Sequence, residues 1–570
     1  MPTRRDMWER LPGTADLVVV GGGIVGCGVA REAARRGLRT VLFEKDDLGY
    51  GTSSRSSKLV HGGLRYLEQL RVGLVFESVS ERHVLRRIAP HLVTPLPFLF
   101  PVHRGSRHRL WKLDAGMWLY DGLALFRAPR LHRTLTPEQV SVEEPLVARE
   151  GLLGAPLYWD CATDDARLVL ETALDAIAAG AVVLTHAPVE ALLRDARGRI
   201  AGVRARDALS DARREVRASV VVNATGPWTD LTLGLEGARR AARPLLRPTK
   251  GIHVVVDHAR LPLRHAVVVT HPRDGRVMFA IPWGDRTYAG TTDTDLDEPL
   301  DEVAASAADV AYVLEGLRAV FPDARIGEDD VIATWAGVRP LVAPPDGRRV
   351  DESSVSREHE ILTDSDGLVT VAGGKLTTYR RMAAEVVDAV VGLLLRLEDK
   401  RRRLRPSGTD RTPLPGAVGW DAHGGLSGLT TAVEAAAGGR LTRACAESLA
   451  RTYGVRALDL ARACAGEPSL AEPLVPGRPE ILAQVDWAVR HELAERLCDV
   501  LVRRTQLFAR DVDRGLGAAT RVCAHMAKLL SWSARRCAQE LEHYQAEVAR
   551  SRRWREDSAR APSRRASASA

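Results

Sequence analysis

The chain has 570 residues, 45% hydrophobic and 27% charged, which is ordinary for a globular protein of two or three domains. The seven cysteines are scattered and include no Cys-x-x-Cys pair, so they argue against a disulfide framework and against a zinc site. No uncharged apolar run reaches the roughly eighteen residues of a transmembrane helix, so we expect a cytoplasmic protein. The net charge of +8 is modest for this length and suits an anionic substrate, a lipid surface or nucleic acid.

A strand, a glycine-rich turn and a helix are predicted near the N-terminus. The apolar residues 17–20 precede the turn, and a helical pattern covers residues 24–36. The glycines of this stretch are Gly21, Gly22, Gly23 and Gly26. Three of them match Gly-x-Gly-x-x-Gly, in which the first permits the turn, the second admits a pyrophosphate and the third lets helix pack on strand. The helix N-terminus then faces the anion.

A second predicted strand, residues 40–43, ends at Glu44, eighteen residues after Gly26. A carboxylate in this position can bind the hydroxyls of a ribose. The alternatives are a glycine-rich turn of another α/β unit and a signal peptide, but the charged helix and Glu44 suit neither. The N-terminal pattern therefore predicts a site for the ADP part of a dinucleotide.

Residues 51–66 are too rich in glycine, serine and charge for a core element and predict a loop that leads into a short helix. Its hydroxyl groups can serve a phosphate, and they belong to Thr52, Ser53, Ser54 and Ser57. His61, Arg65 and Tyr66 add an imidazole, a guanidinium and a phenol. Composition alone also allows a solvated loop.

The sequence TSSRSSKLVHGGLRYLE in this loop resembles the signature of FAD-dependent glycerol-3-phosphate dehydrogenases of the aerobic type. The resemblance implies that the segment wraps the flavin. It also implies that Arg65 and Tyr66 line the substrate pocket.

The next residues mix helices and strands. Helical patterns cover residues 72–89 and 111–125, and the apolar run 96–102 lies between them, as expected for part of a second domain. Thr163 or Asp164 is the predicted N-cap of a helix that ends at Ala179. Four short strands of an antiparallel insertion are predicted over residues 181–186, 189–193, 200–205 and 216–222.

The last of these strands ends in Ala224, Thr225 and Gly226, a further close approach of backbone to the cofactor. This resembles the Ala-Thr-Gly motif of flavoproteins, although the residues alone also allow an ordinary strand and turn. Residues 251–290 then predict a sheet that roofs the flavin in a substrate domain, with strands at 253–256, 266–270, 277–281 and 287–290.

Two later stretches place a basic residue one or two positions after a glycine, at Arg339 and Lys375. Residues 369–376 do not form a Walker A loop, because Val369 and Leu376 stand where Gly and Ser or Thr are needed. A helix start that faces the flavin fits better, and its residues are Gly374, Leu376 and Thr377. Surface salt bridges are the alternative role for the two basic residues.

These stretches, GVRP and GGKLTTYR, resemble two more signatures of the same family, in which Arg339 and Lys375 would meet the substrate's phosphate and hydroxyls. Arg357 also matches a substrate-pocket arginine of the family, although its neighbours differ. With His61, Arg65 and Tyr66, these residues form the predicted catalytic set.

The C-terminal part is predicted to be helical. Residues 396–416 indicate a linker, residues 417–548 a helical bundle with a motif of the family's C-terminal domain at 491–505, and residues 549–570 a basic, disordered tail. The tail or a helix face could contact anionic lipid, although a solvated tail is the simpler interpretation.

The fold class expected is α/β, with a Rossmann-type FAD-binding domain, an antiparallel-sheet substrate domain and a C-terminal α-helical domain. The FAD-binding domain is predicted from residues 1–90, 161–245 and 330–395, and the substrate domain from residues 91–160 and 246–329.

The resemblance implies oxidation of sn-glycerol 3-phosphate to dihydroxyacetone phosphate, with hydride passing to FAD and electrons to a quinone. Alternatives are an oxidase that uses oxygen, an FAD-dependent amine or amino-acid oxidase, and a basic protein that senses nucleotides or binds nucleic acid without redox chemistry. We expect no metal and no nucleic acid. A homodimer and a peripheral contact with the inner face of the cell membrane stay open.

Overall fold

The computed structural model describes residues 2–235, 243–296, 298–343, 359–398 and 404–560. Its strands, in chain order, are β1 (Thr14–Val20), β2 (Thr40–Phe43), β3 (Leu59–Val60), β4 (Thr94–Leu99), β5 (Val102–His103), β6 (Arg133–Leu135), β7 (Leu152–Ala162), β8 (Val182–Leu184), β9 (Val189–Arg194), β10 (Ile200–Arg206), β11 (Arg213–Asn223), β12 (Leu246–Asp257), β13 (Ala266–Thr270), β14 (Val277–Trp283), β15 (Arg286–Gly290), β16 (Thr294–Asp295), β17 (Val331–Val342), β18 (His359–Thr363) and β19 (Val369–Gly373).

The α-helices are α1 (Arg4–Glu9), α2 (Ile24–Arg36), α3 (Arg65–Glu68), α4 (Val72–Ile88), α5 (Leu110–Leu123), α6 (Pro137–Glu143), α7 (Asp165–Ala178), α8 (Thr229–Thr232), α9 (Ala307–Val320), α10 (Tyr379–Glu398), α11 (Gly425–Ala436), α12 (Arg443–Tyr453), α13 (Ala457–Gly466), α14 (Leu482–His491), α15 (Leu507–Arg510), α16 (Leu516–Leu530) and α17 (Ala534–Arg560). A π-helical turn covers Asp499–Arg504.

The first sheet builds the predicted dinucleotide-binding domain. Its strands run in the order β18-β19-β11-β1-β2-β8, and β1 pairs in parallel with both β2 and β11. The apolar run of β1 is buried because helices cover this sheet, and α2 packs against both α7 and α10. Helix α2 begins and ends as predicted, and Gly37 closes it in the left-handed conformation. Asp164, not Thr163, caps α7.

The four strands predicted as an antiparallel insertion divide between two roles. Only β9, β10 and the start of β11 form an antiparallel extension. Strand β8 pairs in parallel with β2, and the end of β11 pairs in parallel with β1. The prediction was wrong for β8, because the preceding helix α7 provides the crossover that a parallel strand needs. It was wrong for the end of β11, because this strand is long enough to continue beyond its hairpin with β10 and pair with β1.

The second sheet belongs to the substrate domain and is largely antiparallel. It is organised around the long pair β12 and β17, which are in register from Leu246 opposite Val342 to Val255 opposite Ala333, before a shift that brings Val256 opposite Val331. The predicted return to the FAD-binding domain at residue 330 was therefore wrong for residues 331–342. Those residues extend the substrate sheet, and the dinucleotide-binding sheet resumes only with β18 and β19.

The C-terminal helices form a separate hydrophobic core that docks on the dinucleotide-binding domain through buried charges. Arg167 of α7 forms a two-pronged contact with Glu492, at 2.7 and 2.6 Å. Arg503 and Arg504 of the π-helical turn both bind Asp47. Since an unpaired buried charge is costly, these pairs fix the orientation of one domain on the other.

Helix α17 continues to Arg560, so the disordered tail expected from residue 549 was wrong up to that point. The physical reason is tertiary: the Trp554 side chain is 1% exposed and belongs to the core of the substrate domain. Residues 561–570 lie outside the described residues, as do residues 399–403 of the expected linker. All seven cysteines are free thiols, and six of them are buried.

Candidate active site

The turn between β1 and α2 requires glycine at two positions. Gly21 has φ +108°, and a Cβ there would lie 2.6 Å from the carbonyl oxygen of Ala224. A Cβ on Gly26 would collide with the carbonyl oxygen of Gly21, so this glycine allows α2 to pack closely on the turn. Gly23 lines a cavity instead, with only the Ser53 Oγ within contact distance of an added Cβ. The backbone at Gly23 is therefore open to a ligand.

The cavity has a volume of about 510 Å³ and extends from this turn to the substrate sheet. Predicted cofactor residues that line it are Gly21, Gly23, Glu44, Thr52, Ser53, Ser57, Ala224, Thr225, Gly226, Gly374, Leu376 and Thr377, and predicted catalytic residues that line it are His61, Arg339 and Lys375. One space therefore joins stretches that lie more than 300 residues apart in the chain.

Glu44 stands at the end of β2 and is held by backbone amides. The Gly22 N–H donates to Oε2 at 2.6 Å, and the Asp46 N–H donates to Oε1 at 2.9 Å. Burial raises the pKa of Glu44 to about 7, against these two hydrogen bonds, which lower it. Gly22 itself does not line the cavity, and it is small because an added Cβ would lie 2.7 Å from the Cβ of Glu44.

The serine-rich loop closes one side of the cavity. The Ser53 Oγ accepts a hydrogen bond of 3.0 Å from the Ile24 N–H, the first donor of α2. The Thr52 hydroxyl donates to the Val338 carbonyl on β17 at 2.5 Å. The loop therefore connects the turn of the first sheet to the second sheet. Ser54 does not line the cavity.

The imidazole of His253 lies between this loop and the substrate sheet. Its Nε2 is 2.9 Å from the Ser57 Oγ, and its ring stacks on Trp335 at 4.8 Å. Nδ1 is buried without a hydrogen-bond partner among the described residues. Burial, with smaller contributions from Arg339 and Lys58, lowers the pKa of His253 well below 6.5, so its imidazole is neutral at pH 7.

Arg339 of β17 is fixed at the cavity wall. Its Nη1 donates to Asp293 Oδ1 at 2.8 Å, and its Nη2 donates to the Thr291 Oγ1 at 2.8 Å and to the Thr292 carbonyl at 2.9 Å. Gly251 on the neighbouring strand makes room, since an added Cβ would collide with Nη2. A rotationally fixed guanidinium is suited to binding an anion.

Lys375 lies at another part of the wall, after Gly373 and Gly374, which have φ of +74° and +98°. Its Nζ is 3.6 Å from the centre of the Tyr66 ring and 3.4 Å from the Ser78 Oγ. The next residues form a 3-10 turn, Leu376–Thr378, rather than the start of the helix itself. Thr377 Oγ1 lies 3.2 Å from the backbone N and 3.3 Å from the backbone carbonyl O of His61. These two contacts join the turn to the serine-rich loop.

Four predicted residues need separate mention. Tyr66 does not line the cavity, but it lies against Lys375, which does. Gly26 acts through packing. Arg65 begins α3, although its side chain lies outside the described part of the chain. Arg357 lies wholly outside the described residues.

Sequence reasoning missed several cavity residues: Lys45, Tyr50, Arg55, Trp228, His253 and Asp301. Trp228 directly follows the Ala-Thr-Gly-Pro stretch, and its buried Nε1 has no hydrogen-bond partner among the described residues. Its place after that motif was the only signal available. Nothing in the sequence near Asp301 marks it as a cavity residue.

The cavity fits an FAD molecule. Gly23 and the start of α2 offer an open backbone for a pyrophosphate, Glu44 can bind a ribose, and Trp228 Nε1 is an unused donor that an FAD polar atom can satisfy. Among the described residues, no cluster of three His, Cys, Asp or Glu side chains could hold a metal ion. Within the same residues, no helix is long and apolar enough to cross a membrane.

Comparison with known proteins gives a consistent result. Residues 16–380 match the family model of FAD-dependent oxidoreductases, and residues 407–537 match that of the C-terminal domain of alpha-glycerophosphate oxidase. The chain is 40% identical over 547 residues to glycerol-3-phosphate dehydrogenase 2 of Mycobacterium tuberculosis, covering 95% of this chain and 89% of that protein. It is 38% identical over 543 residues to glycerol-3-phosphate dehydrogenase of Synechocystis sp., covering 93% and 95%.

Among solved structures, glycerol-3-phosphate dehydrogenase from Bacillus halodurans, complexed with FAD, matches with a TM-score of 0.78 at 32% identity, over 96% of this chain and 98% of that one. The L-alpha-glycerophosphate oxidase of Mycoplasma pneumoniae shares the fold, with a TM-score of 0.53 at 17% identity over 70% of this chain and 99% of that one. The resemblance seen in the sequence motifs thus extends over nearly the whole chain, and the protein belongs to the FAD-dependent glycerol-3-phosphate dehydrogenase family.

Proposed function

We propose that the protein oxidises sn-glycerol 3-phosphate to dihydroxyacetone phosphate with FAD and passes the electrons to a quinone. The observation that carries the proposal is the fixed guanidinium of Arg339, in the same cavity as the glycine turn and Lys375. A phosphate leaving water needs charge-assisted donors, and this cavity provides a cation where an FAD site borders the substrate sheet. Bound FAD supplies the hydride acceptor for carbon C2 of the substrate.

Arg339 binds and orients the phosphate in this proposal. Asp293 neutralises part of its charge but also prevents it from rotating, so the guanidinium is already in position when substrate arrives. Arg65 and Arg357 are proposed to supply further donors, as the family motifs imply. Together they would place the hydroxyl-bearing carbon away from the phosphate wall.

Lys375 and His61 act on the hydroxyl group. The Lys375 ammonium, against the ring of Tyr66, can donate a hydrogen bond to the C2 oxygen and stabilise negative charge on it. We assign His61 as the acceptor of the hydroxyl proton because it lines the cavity and is joined through Thr377 to the turn that follows Lys375. His253 is a poor candidate for this role, since its surroundings hold its pKa well below 6.5.

The experiment that tests this function is anaerobic mixing of the purified yellow protein with sn-glycerol 3-phosphate, glycerol and a panel of amino acids. Loss of flavin absorbance with the phosphate ester alone supports the proposal. Reduction by an amino acid instead would identify an amino-acid oxidase, and no reduction by any compound would contradict the redox assignment. Reoxidation of the reduced protein by a soluble quinone, compared with oxygen, separates the dehydrogenase from an oxidase.

A membrane contact is proposed on a different surface from the expected tail. Large apolar side chains are exposed at and just before the start of α4, on α5 and just after α5, and we call this set the apolar patch: Leu70, Val72, Phe76, Trp111, Trp118, Leu119, Leu125 and Phe126. A contact of 3.0 Å between His108 Nδ1 and Glu68 Oε1 connects the residues before α4 with the residues before α5.

Exposed cations occur in the same part of the chain as α5, at Arg107, Arg109, Lys112, Arg127 and Arg130. Exposed tryptophan and phenylalanine with basic residues at the rim suit the interface of an anionic bilayer. Leu70 of the patch follows Tyr66 by four residues, and Tyr66 contacts Lys375 at the cavity. A patch seated on the inner face of the cell membrane would therefore bring the flavin site close to a lipid-soluble quinone.

A further inference from the structure

One end of the cavity is bordered by a segment of the substrate domain, residues 298–304, which we call the strap. It lies between β16 and α9, and its Asp301 lines the cavity. The Asp301 carboxylate forms an ion pair with Lys45, the residue that follows Glu44 at the end of β2. This pair joins the strap to the dinucleotide-binding domain.

The position of the pair identifies which part of a dinucleotide it covers. Glu44 is the carboxylate that binds the adenosine ribose in this type of fold, so Lys45 and Asp301 stand at the adenosine end. Lys45 Nζ also lies 4.3 Å from the centre of the Trp228 ring, and Tyr50 lies 6.3 Å from that ring. Trp228 Nε1, buried and without a partner among the described residues, is available to this end of the ligand.

Helix α17 holds the strap from outside. Arg550 Nη1 donates to the Asp301 carbonyl at 2.7 Å, and Arg553 Nη2 is 2.7 Å from Glu298 Oε2. Lys250 of β12 binds the same Glu298 at 3.0 Å from within the substrate domain. The helix is itself anchored by Trp554 in the substrate-domain core. The strap is therefore held between the C-terminal helix and the sheet.

We propose that the Lys45–Asp301 pair, supported by α17, closes the adenosine end of the cavity and retains the FAD. The C-terminal helix then sets the rate of FAD release, although it contributes no residue to the cavity wall among the residues described. The proposal rests on the FAD site and not on the identity of the substrate.

The ion pair is open to solvent, with side-chain exposures of 33% for Lys45 and 53% for Asp301, so it should respond to salt. We therefore expect the protein to release FAD faster as the ionic strength rises. Salt also screens the Arg553–Glu298 pair that holds the strap, so the Lys45–Asp301 pair is identified by a salt response that shrinks when this pair alone is removed.

The test follows first-order loss of bound FAD from the holoenzyme after dilution into FAD-free buffer, at low and high NaCl. Asp301→Asn and Lys45→Met should each release FAD about two- to fivefold faster at low salt, as expected for a partly exposed pair, and their release rates should respond less to salt than that of the wild type. At high salt, the rate of FAD release from the wild type should approach the rates of these two variants. Arg550→Ala should also release faster, whereas Arg535→Ala, an exposed arginine at the start of the same helix, should match wild type.

The double variant Lys45→Met with Asp301→Asn should release FAD no faster than the quicker single variant, because both remove the same interaction. The proposal is overturned if the single variants release FAD at the wild-type rate at low salt, or if their effects multiply. Melting temperatures of the FAD-free forms show whether a variant is merely unfolded. A wild-type protein that binds no FAD would instead contradict the cofactor site and the proposed function together.

Discussion

The amide of Gly22 donates a hydrogen bond of 2.6 Å to Glu44 Oε2, and this contact joins the glycine turn to the end of the neighbouring strand. One carboxylate thus serves two purposes. It closes the turn on its own backbone, and it stands where the ribose of a dinucleotide belongs. Because Glu44 is 8% exposed and its second oxygen accepts from the Asp46 amide, its position is determined before any ligand arrives.

Glu44→Ala should lower FAD retention, because it removes the ribose acceptor and leaves the buried Gly22 amide without a partner. Gly23→Val should also lower it, since the new side chain enters the cavity beside Ser53. The measurement is the ratio of flavin to protein after gel filtration. Gly13→Val serves as a control, at an exposed glycine outside the cavity where an added Cβ meets no atom within 4 Å. Undiminished flavin content in both test variants would contradict the assignment of this turn.

The glycine turn was predictable from sequence because its requirements are local. Gly21 needs a positive φ, and Gly26 needs the absence of a Cβ, so both leave a trace in the chain itself. Helix α2, strand β2 and the cap at Asp164 follow from short-range patterns in the same way. The motifs at Arg339 and Lys375 were recognised, and they do line one cavity with that turn.

The remaining features depend on pairings between distant segments. Arg339 is held by Asp293, and this partner follows from the register of β12 against β17 and from the loop after β15, which no local pattern reveals. The arginine-rich end of α17 has the composition of a disordered tail. It is helical because Trp554 fills a core built by another domain, and composition does not identify such a partner.

His91 should make the stability of the protein depend on pH. Its side chain is buried, neither ring nitrogen has a partner among the described residues, and burial lowers its pKa to about 4. In the unfolded chain a histidine has a pKa of about 6.5, so the unfolded state binds more protons between those two values. The neutral His91 therefore contributes fully to the free energy of unfolding above about pH 6.5, and this contribution is lost as the pH falls toward 4.

The free energy of unfolding should therefore decrease with falling pH by up to about 1.4 kcal/mol per pH unit from this group. His91→Leu should remove that part of the slope, as measured by urea unfolding at pH 7, 6 and 5. His543→Leu, which replaces an exposed histidine of α17, is the matched control. An equal slope in wild type and His91→Leu would show that His91 does not titrate in this range.

The apolar patch should bind vesicles that contain anionic lipid. Trp111→Ser combined with Phe126→Ser should weaken co-sedimentation at least about fivefold, since each removes a large apolar side chain, 67% and 61% exposed, from the interface. Replacing Arg107, Arg109 and Lys112 with Gln should weaken binding at low salt, by about 1 kcal/mol for each charge near the surface.

Val512→Ser is the control for the vesicle experiment, because Val512 is 65% exposed but lies between α15 and α16 of the C-terminal domain. Deletion of residues 561–570 tests the tail that the sequence suggested and should leave sedimentation unchanged. If that deletion abolishes binding while the double patch variant binds as wild type, the tail and not α5 contacts the lipid.

Arg339 should determine both affinity and selectivity for the phosphate. A hydrogen bond to a charged group contributes about 1.5–3 kcal/mol, so Arg339→Ala should lower kcat/KM for sn-glycerol 3-phosphate about tenfold to a hundredfold or more. Glycerol, which lacks the phosphate, should be a poor substrate whose turnover hardly changes. Asp293→Asn should give a smaller loss, because the guanidinium keeps its contacts with Thr291 and Thr292 but loses its charged partner.

Lys375→Met should act on a different step, because its ammonium is proposed to contact the C2 oxygen and not the phosphate. Stopped-flow reduction of the flavin at saturating substrate should be slower in Lys375→Met than in wild type. In Arg339→Ala this rate should change little, and the substrate concentration needed to reach half of it should rise. Arg260→Ala is the matched control, since Arg260 is paired with Asp330 outside the cavity. If Arg339→Ala reduces its flavin with wild-type affinity and rate, the phosphate binds elsewhere and the proposed substrate loses its main physical support.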